Sequence, residues 1–243
     1  MQKEKMRLKE RKVIESEVFD RSVLRTLAQL MDKKIIKKLE FPIAKGKEAY
    51  VFRAEGGENT EDPYLAVKIY MIETSDFKRM QDYIRGDPRF RRVKHNKRDV
   101  VYAWTKKEFR NLKSCEEAGV HVPAPYYFQN NVLVMKFIGD ENGPAPLLKD
   151  VDPPDPKRNF REVITDMKRM YRVGLVHADI SEYNILVWED CLFIIDLGQG
   201  VSLEHPMADH FLERDVDNLI RYFSKYQIIA DREKLIKEIK GVK

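Results

Sequence analysis

Residues 176–198 read V-H-A-D-I-S-E-Y-N-I-L-V-W-E-D-C-L-F-I-I-D-L-G, and they limit the fold more than any other stretch. Two short apolar runs rich in β-branched residues, 185–188 and 191–195, flank Glu189-Asp190, the pattern of a tight hairpin. A hairpin returns to its own start. Asn184, before the first strand, and Asp196, after the second, should therefore meet beside Asp179. A carboxylate and an amide oxygen make a hard oxygen site suited to Mg²⁺, and Asp179 is left to act on a hydroxyl or a water. H-x-D-x-x-x-x-N followed by D-x-G is the layout of a phosphoryl-transfer catalytic loop. A polar loop beside an ordinary hairpin would account for a lone H-x-D. Both halves at this spacing, on apolar strands, favour the site.

A chain of 243 residues suits one domain or two lobes around one cleft. The 43% hydrophobic content permits a sizeable core. No apolar run approaches the roughly 20 residues of a spanning helix, and MQKEKMRLKERK at the N-terminus lacks the apolar stretch of a signal peptide. The expectation is a cytoplasmic protein with no membrane partner. Cys115 and Cys191 sit in apolar segments without metal-ligand spacing, as buried thiols of a reducing compartment would. Residues 84–98 carry seven Lys/Arg against one Asp, either a solvated loop or a surface for a phosphate-rich partner such as RNA. In the second case Phe90 and His95 could stack on unpaired bases.

Residues 1–40 read as an N-terminal helical extension. Asp20 is the expected N-cap, Val23, Leu24, Leu27, Leu30 and Met31 form a stripe, and Ile35, Ile36 and Leu39 continue it. From Phe41 the period becomes strand-like, opening a first lobe over 41–137 with the basic insertion near 73–99. Gly56-Gly57 marks a turn. In L-A-V-K-I-Y the alternation puts Ala66 and Lys68 on one face, so Lys68 is either solvent-facing or a lysine reaching phosphates beneath adenine. Gly46, between Lys45 and Lys47, permits close phosphate approach, but the turn is neither a Walker A sequence nor a full G-x-G-x-x-G. Val101, Trp104, Glu108, Leu112 and Cys115 recur at helical spacing. Glu108 thus falls on an apolar face where an unpaired carboxylate is costly, and Lys68 is the natural partner. A second hairpin, across Asn130-Asn131, ends in M-K-F-I-G, where backbone groups of Lys136 and Ile138 could read an adenine edge with Met135 behind it. The second lobe, 138–243, follows a Pro-rich crossing, with helical spacing from Phe160 to Met170 and around 208–222 and 232–239.

H-A-D-I-S-E-Y-N-I-L, I-I-D-L-G-Q-G-V, G-K-E-A and K-E-F-R-N-L together closely resemble the Rio family of atypical serine/threonine protein kinases. D-P-R-F and the segment from His205 to Asp215 resemble its first branch, the one without a winged helix. The resemblance implies an α+β, two-lobed protein-kinase-like fold with a reduced C-lobe. It implies ATP with Mg²⁺ or Mn²⁺ as cofactors, Asp179 as the catalytic aspartate, and Asn184 and Asp196 as metal ligands. Lys68 would hold the phosphates and Glu108 orient it. Lys45, Gly46, Lys47, Val51 and Ala66 would also line the ATP site, with Met135, Lys136 and Ile138 at the adenine. It further implies a role in maturation of the small ribosomal subunit, with that precursor and its RNA as partners, and either a protein substrate or autophosphorylation. Some members work chiefly as ATPases, and Asp196 then becomes transiently phosphorylated. Ala44-Lys45 stands where members often offer a Ser/Thr hydroxyl, and D-L-G replaces D-F-G. The competing readings are a Bud-type kinase, a small-molecule kinase of the aminoglycoside or choline type, and an assembly scaffold that uses ATP only as a latch.

Overall fold

The computed structural model describes residues 18–73, 77–85, 87, 90 and 96–241. Its first helix, α1 (Arg21–Asp32), starts where the sequence places it: the Asp20 carboxylate accepts the Val23 N–H at 2.8 Å. Val23, Leu27 and Leu30 are buried, whereas Leu24 and Met31 lie at the exposed margin of the stripe. The helical extension ends sooner than its apolar spacing suggests. Lys34 takes a left-handed φ of 54°, and β1 (Ile36–Lys45) follows at once, so Ile36 and Leu39 belong to a strand. A spacing of three fits a helix, and the strand accommodates it through a register shift between Ile36 and Lys38. Pairing decides, with Ile36 opposite Gly56 and Leu39 opposite Ala54 of β2 (Ala49–Gly56). Residues 1–17 of the expected extension lie outside the described residues.

With β3 (Tyr64–Tyr70), β4 (Pro125–Gln129) and β5 (Val132–Lys136), these strands form an antiparallel sheet in the order β1-β2-β3-β5-β4. Gly56-Gly57 opens a longer connection rather than a tight turn, because β3 resumes only at Tyr64. Gly57 is required there, since a Cβ would stand 2.1 Å from the Lys34 carbonyl oxygen. Alternation along β3 assigns its two faces. Leu65, Val67 and Ile69 join Val23, Leu27 and Leu30 in one core beneath α1; Ala66, Lys68 and Tyr70 face the other way.

That other face is covered by α3 (Lys97–Glu117), which is preceded by α2 (Phe77–Arg85) and capped by Asn96, whose side chain accepts the Asp99 N–H. The basic segment between α2 and α3 is only partly described. Phe90, which could stack on bases if the segment met RNA, is buried in the core that contains Tyr83 and Trp104. An aromatic flanked by charges reads as exposed in sequence, but here the apolar surface of α2 and α3 takes it in. Lys97 and Arg98 are exposed in the first turn of α3, while Arg89, Arg91, Arg92, Lys94 and His95 lie outside the described residues.

The second lobe begins with a two-stranded ribbon, β6 (Gly139–Asp140) and β7 (Gly143–Pro144), and continues through α4 (Pro156–Arg172) and β8 (Leu175–Val176). The hairpin follows as β9 (Ile185–Trp188) and β10 (Cys191–Ile194), then β11 (Val201–Ser202), α5 (Ala208–Phe223) and α6 (Arg232–Lys240). Phe160, Val163, Ile164, Met167 and Met170 are all buried along α4, and Gly174 leaves it with a φ of 82°. Glu189 and Asp190 take φ values of 47° and 64°, an unusual turn without glycine. Donors from α4 hold it, as Arg158 and Asn159 bond the Asp190 carbonyl at 2.7 and 3.1 Å. Among the described residues, no helix is long and apolar enough to cross a membrane.

Candidate active site

The face of the sheet opposite α1 supplies the first half of the site. Val51, Lys68 and Leu133 are direct cross-strand partners, as are Arg53, Ala66 and Met135. Val51, Ala66, Lys68 and Met135 therefore share one surface, as the sequence predicts. The Lys68 ammonium donates to Glu108 Oε1 at 2.8 Å and to Asp196 Oδ1 at 2.9 Å. Glu108 is fully buried on α3, and its second oxygen accepts the Tyr70 hydroxyl. Burial opposes the Lys68 charge, but the carboxylates of Asp196 and Glu108 outweigh it and hold its pKa well above the ordinary value. Burial pushes Glu108 up, with Lys68 pulling the other way. Breaking one side of such a buried pair costs about 3–5 kcal/mol.

The catalytic loop and the hairpin supply the second half. Ile195 N–H donates to the Asn184 carbonyl at 3.0 Å, so the two hairpin ends meet. His177 Nε2 donates to the Ile195 carbonyl at 3.0 Å, and burial holds this histidine below its ordinary pKa. Asn184 Nδ2 lies 2.9 Å from both the Asp179 carbonyl and its Oδ2. With its nitrogen committed to Asp179, the amide turns its oxygen away, where it can face a cation.

Three placements refine the expected set. Lys136 N–H donates to the Ala124 carbonyl at 2.7 Å and the Ile138 carbonyl accepts the Ala145 N–H at 2.9 Å. Of the backbone groups expected to read adenine, the Lys136 N–H and the Ile138 carbonyl are therefore engaged within the fold. The Lys136 side chain turns to Asp62 at 3.1 Å, beside a cavity of about 440 Å³ that includes Trp188, Glu189 and Phe193 but not Lys68, Asp179 or Asp196. Lys45 and Lys47 are exposed at the β1–β2 turn, with the Lys45 ammonium over the Tyr50 ring and the Gly46 N–H bonded to the Ala49 carbonyl.

Seven residues around the site have roles that were not read from the sequence. Gln199 donates to Asp179 Oδ2 at 3.1 Å, and Tyr70 to Glu108. Lys107 and Asn111, both fully buried on α3, grip backbone carbonyls just after Asp196. Asp215 on α5 accepts the Ala178 and Ile180 N–H groups at 2.8 and 2.9 Å, one on each oxygen. Arg214 bonds the Ala178 carbonyl, and Asn218 the Ile180 carbonyl at 3.0 Å. These contacts hold the catalytic loop in place, including Ala178 at a left-handed φ of 66°. Burial pushes Asp215 up to about 8, against the lowering pull of its two N–H donors and Arg214. Lys107 and Asn111 stand among charged neighbours (Lys106, Glu108, Arg110), so their burial is not marked in the local sequence.

Among the described residues, no group of three His, Cys, Asp or Glu side chains could hold a metal ion. One carboxylate and one amide oxygen are too few for a resident metal. They do fit a hard cation that completes its shell with phosphate oxygens and water. A lysine anchored by a buried carboxylate beside that pair fits the phosphates.

Two lobes closed on this set of groups define a phosphotransferase of the kinase-like class. The RIO domain profile matches residues 50–235, and the chain belongs to that family, in its Rio1 branch. It is 42% identical over 228 residues to the RIO-type serine/threonine-protein kinase Rio1 of Haloferax volcanii, covering 94% of this chain and 78% of that protein. The Thermoplasma acidophilum Rio1 is 43% identical over 190 residues, which is 78% of this chain and 98% of the relative. The RIO1 kinase of Saccharomyces cerevisiae is 36% identical over 250 residues, 90% of this chain and 51% of that longer protein. The Rio2 kinase of Chaetomium thermophilum, solved as an ADP/Mg²⁺-phosphoaspartate complex, shares the fold at 21% identity and a TM-score of 0.66, over 88% of this chain and 65% of that one.

Asp215→Asn tests the anchoring of the catalytic loop. An amide offers one acceptor where two N–H groups point, so one donor loses its partner at a cost of about 1–3 kcal/mol. The expected outcome is a lower midpoint of denaturant unfolding at unchanged slope; an unchanged midpoint would show that the carboxylate does not hold the loop.

Proposed function

We propose that the protein is an ATP-dependent atypical serine/threonine kinase that also hydrolyses ATP, working with Mg²⁺ or Mn²⁺ in maturation of the small ribosomal subunit. The observation that carries the chemistry is the Lys68 ammonium, shared between Glu108 at 2.8 Å and Asp196 at 2.9 Å, with Asp179 reached through Asn184. Lys68 holds the phosphates, and the Lys136 carbonyl and Ile138 N–H read adenine. Asp196 and the Asn184 oxygen would hold the cation, which when bound would supply charge neutralisation at the transferring group. Asp179 orients the attacking hydroxyl or water and takes its proton. In the hydrolytic branch an Asp196 oxygen forms the new bond to the terminal phosphorus as the bond to ADP breaks. Water, positioned by Asp179, then releases phosphate.

Two substitutions separate binding from chemistry. Asp196→Ala should abolish the metal dependence of nucleotide binding in titration calorimetry, and metal-dependent affinity equal to wild type would remove Asp196 from the site. Asp179→Ala should bind nucleotide normally yet lose about a hundredfold or more in single-turnover rate; a rate equal to wild type would refute its role.

The partner reading is small-subunit precursor RNA, supported by the charge of residues 84–98 and by exposed Lys97 and Arg98. Neutralised phosphates release counterions, so binding weakens steeply with salt. Changing Arg89, Arg91, Arg92, Lys94, Lys97 and Arg98 to Ser should weaken precursor RNA binding and flatten its salt slope. Unchanged affinity and slope would leave this segment as a solvated cover.

A further inference from the structure

The segment after the metal aspartate is held by two buried side chains of α3. Lys107, with no exposed surface, donates to the Gly198 carbonyl at 2.7 Å and the Gly200 carbonyl at 2.6 Å. Asn111, equally buried, donates to the Leu197 carbonyl at 2.8 Å and the Gly200 carbonyl at 3.0 Å. The fit leaves no slack: a Cβ on Gly198 would lie 2.6 Å from Trp104 Nε1. Gln199 therefore sits between two carbonyls fixed by one ammonium, and its own side chain is 9% exposed.

From that position Gln199 Nε2 reaches Asp179 Oδ2 at 3.1 Å, the same oxygen that Asn184 Nδ2 meets at 2.9 Å. Only the NH₂ end of an amide can face a carboxylate oxygen without repulsion. Two amide donors on Oδ2 leave Oδ1 as the oxygen turned to a substrate proton.

We propose that Gln199 is a positioning residue for phosphoryl transfer: clamped by Lys107 and Asn111, it fixes which oxygen of Asp179 faces the nucleophile. The proposal rests on the phosphotransferase reading and adds a connection to it. The helix that carries Glu108, and so places Lys68, also places Asp179 through Lys107 and Gln199. Nucleotide binding and proton transfer are both set from neighbouring positions of α3.

The proposal distinguishes Gln199→Met, which keeps length but removes the donor, from Gln199→Glu, which keeps shape but sets a second carboxylate against Asp179. Steady-state turnover with Mg²⁺-ATP should fall about tenfold or more for Met and further for Glu. KM for ATP and the calorimetric affinity for Mg²⁺-ADP should stay within about twofold of wild type for both, which also reports that both variants are folded. Gln199 filling space alone predicts the opposite order, since Glu is the closer isostere. That order, or kcat within twofold of wild type for both variants while Asp179→Ala is inactive, overturns the proposal. A wild-type protein without turnover would instead refute the phosphotransferase reading itself.

Discussion

The buried pair of Lys68 and Glu108 is the interaction on which the rest of this structure depends. A carboxylate with no exposed surface needs a cation beside it, and Lys68 on the facing sheet supplies it. Meeting that need fixes three things together. It sets the height of α3 on the sheet, the direction of the Lys68 ammonium, and through the second contact to Asp196 the approach of one lobe to the other. Tyr70, two residues along the same strand face, closes the remaining oxygen of Glu108. The pair is thus an element of the fold as well as of the site.

The second lobe holds its groups differently. Its polar residues sit in loops, where backbone N–H and C=O groups must find partners away from a sheet. Asp215, Asn218 and Arg214 on α5 supply them for the catalytic loop, and Lys107 and Asn111 on α3 supply them for residues 197–200. Ala178 and Asp196 both take left-handed φ values, 66° and 63°. Non-glycine residues accept that conformation only where the surroundings over-determine it. Rigid helices thereby hold strained loops, and the loops present Asp179, Asn184 and Asp196.

Much of this was legible in the sequence, for identifiable reasons. Asn184 and Asp196 were readable because a hairpin must bring its ends together. The Lys68–Glu108 contact was readable because a carboxylate on an apolar helix face demands a cation. The strand alternation that separates Leu65 from Ala66 follows from a period of two. The start of β1 was misread because Ile36 and Leu39 stand at helical spacing, while the strand is irregular there, with a register shift between Ile36 and Lys38 where it pairs with β2. Phe90 was misread because local charge hides burial that comes from α2 and α3. Gln199 and Asp215 stood inside recognised motifs, yet their roles depend on contacts 20 to 37 residues away in sequence, which no local pattern encodes.

The account's central claim is that the buried pair organises the nucleotide site rather than merely stabilising the first lobe. The most direct test is the affinity of Mg²⁺ with a non-hydrolysable ATP analogue for the Lys68→Met/Glu108→Gln double variant, measured by titration calorimetry. Removing both charges together leaves no unpaired ion on α3, and Asp196, which also loses Lys68, is 40% exposed to water. The account predicts a folded protein whose affinity falls by about tenfold or more. Wild-type affinity in a folded double variant would contradict it.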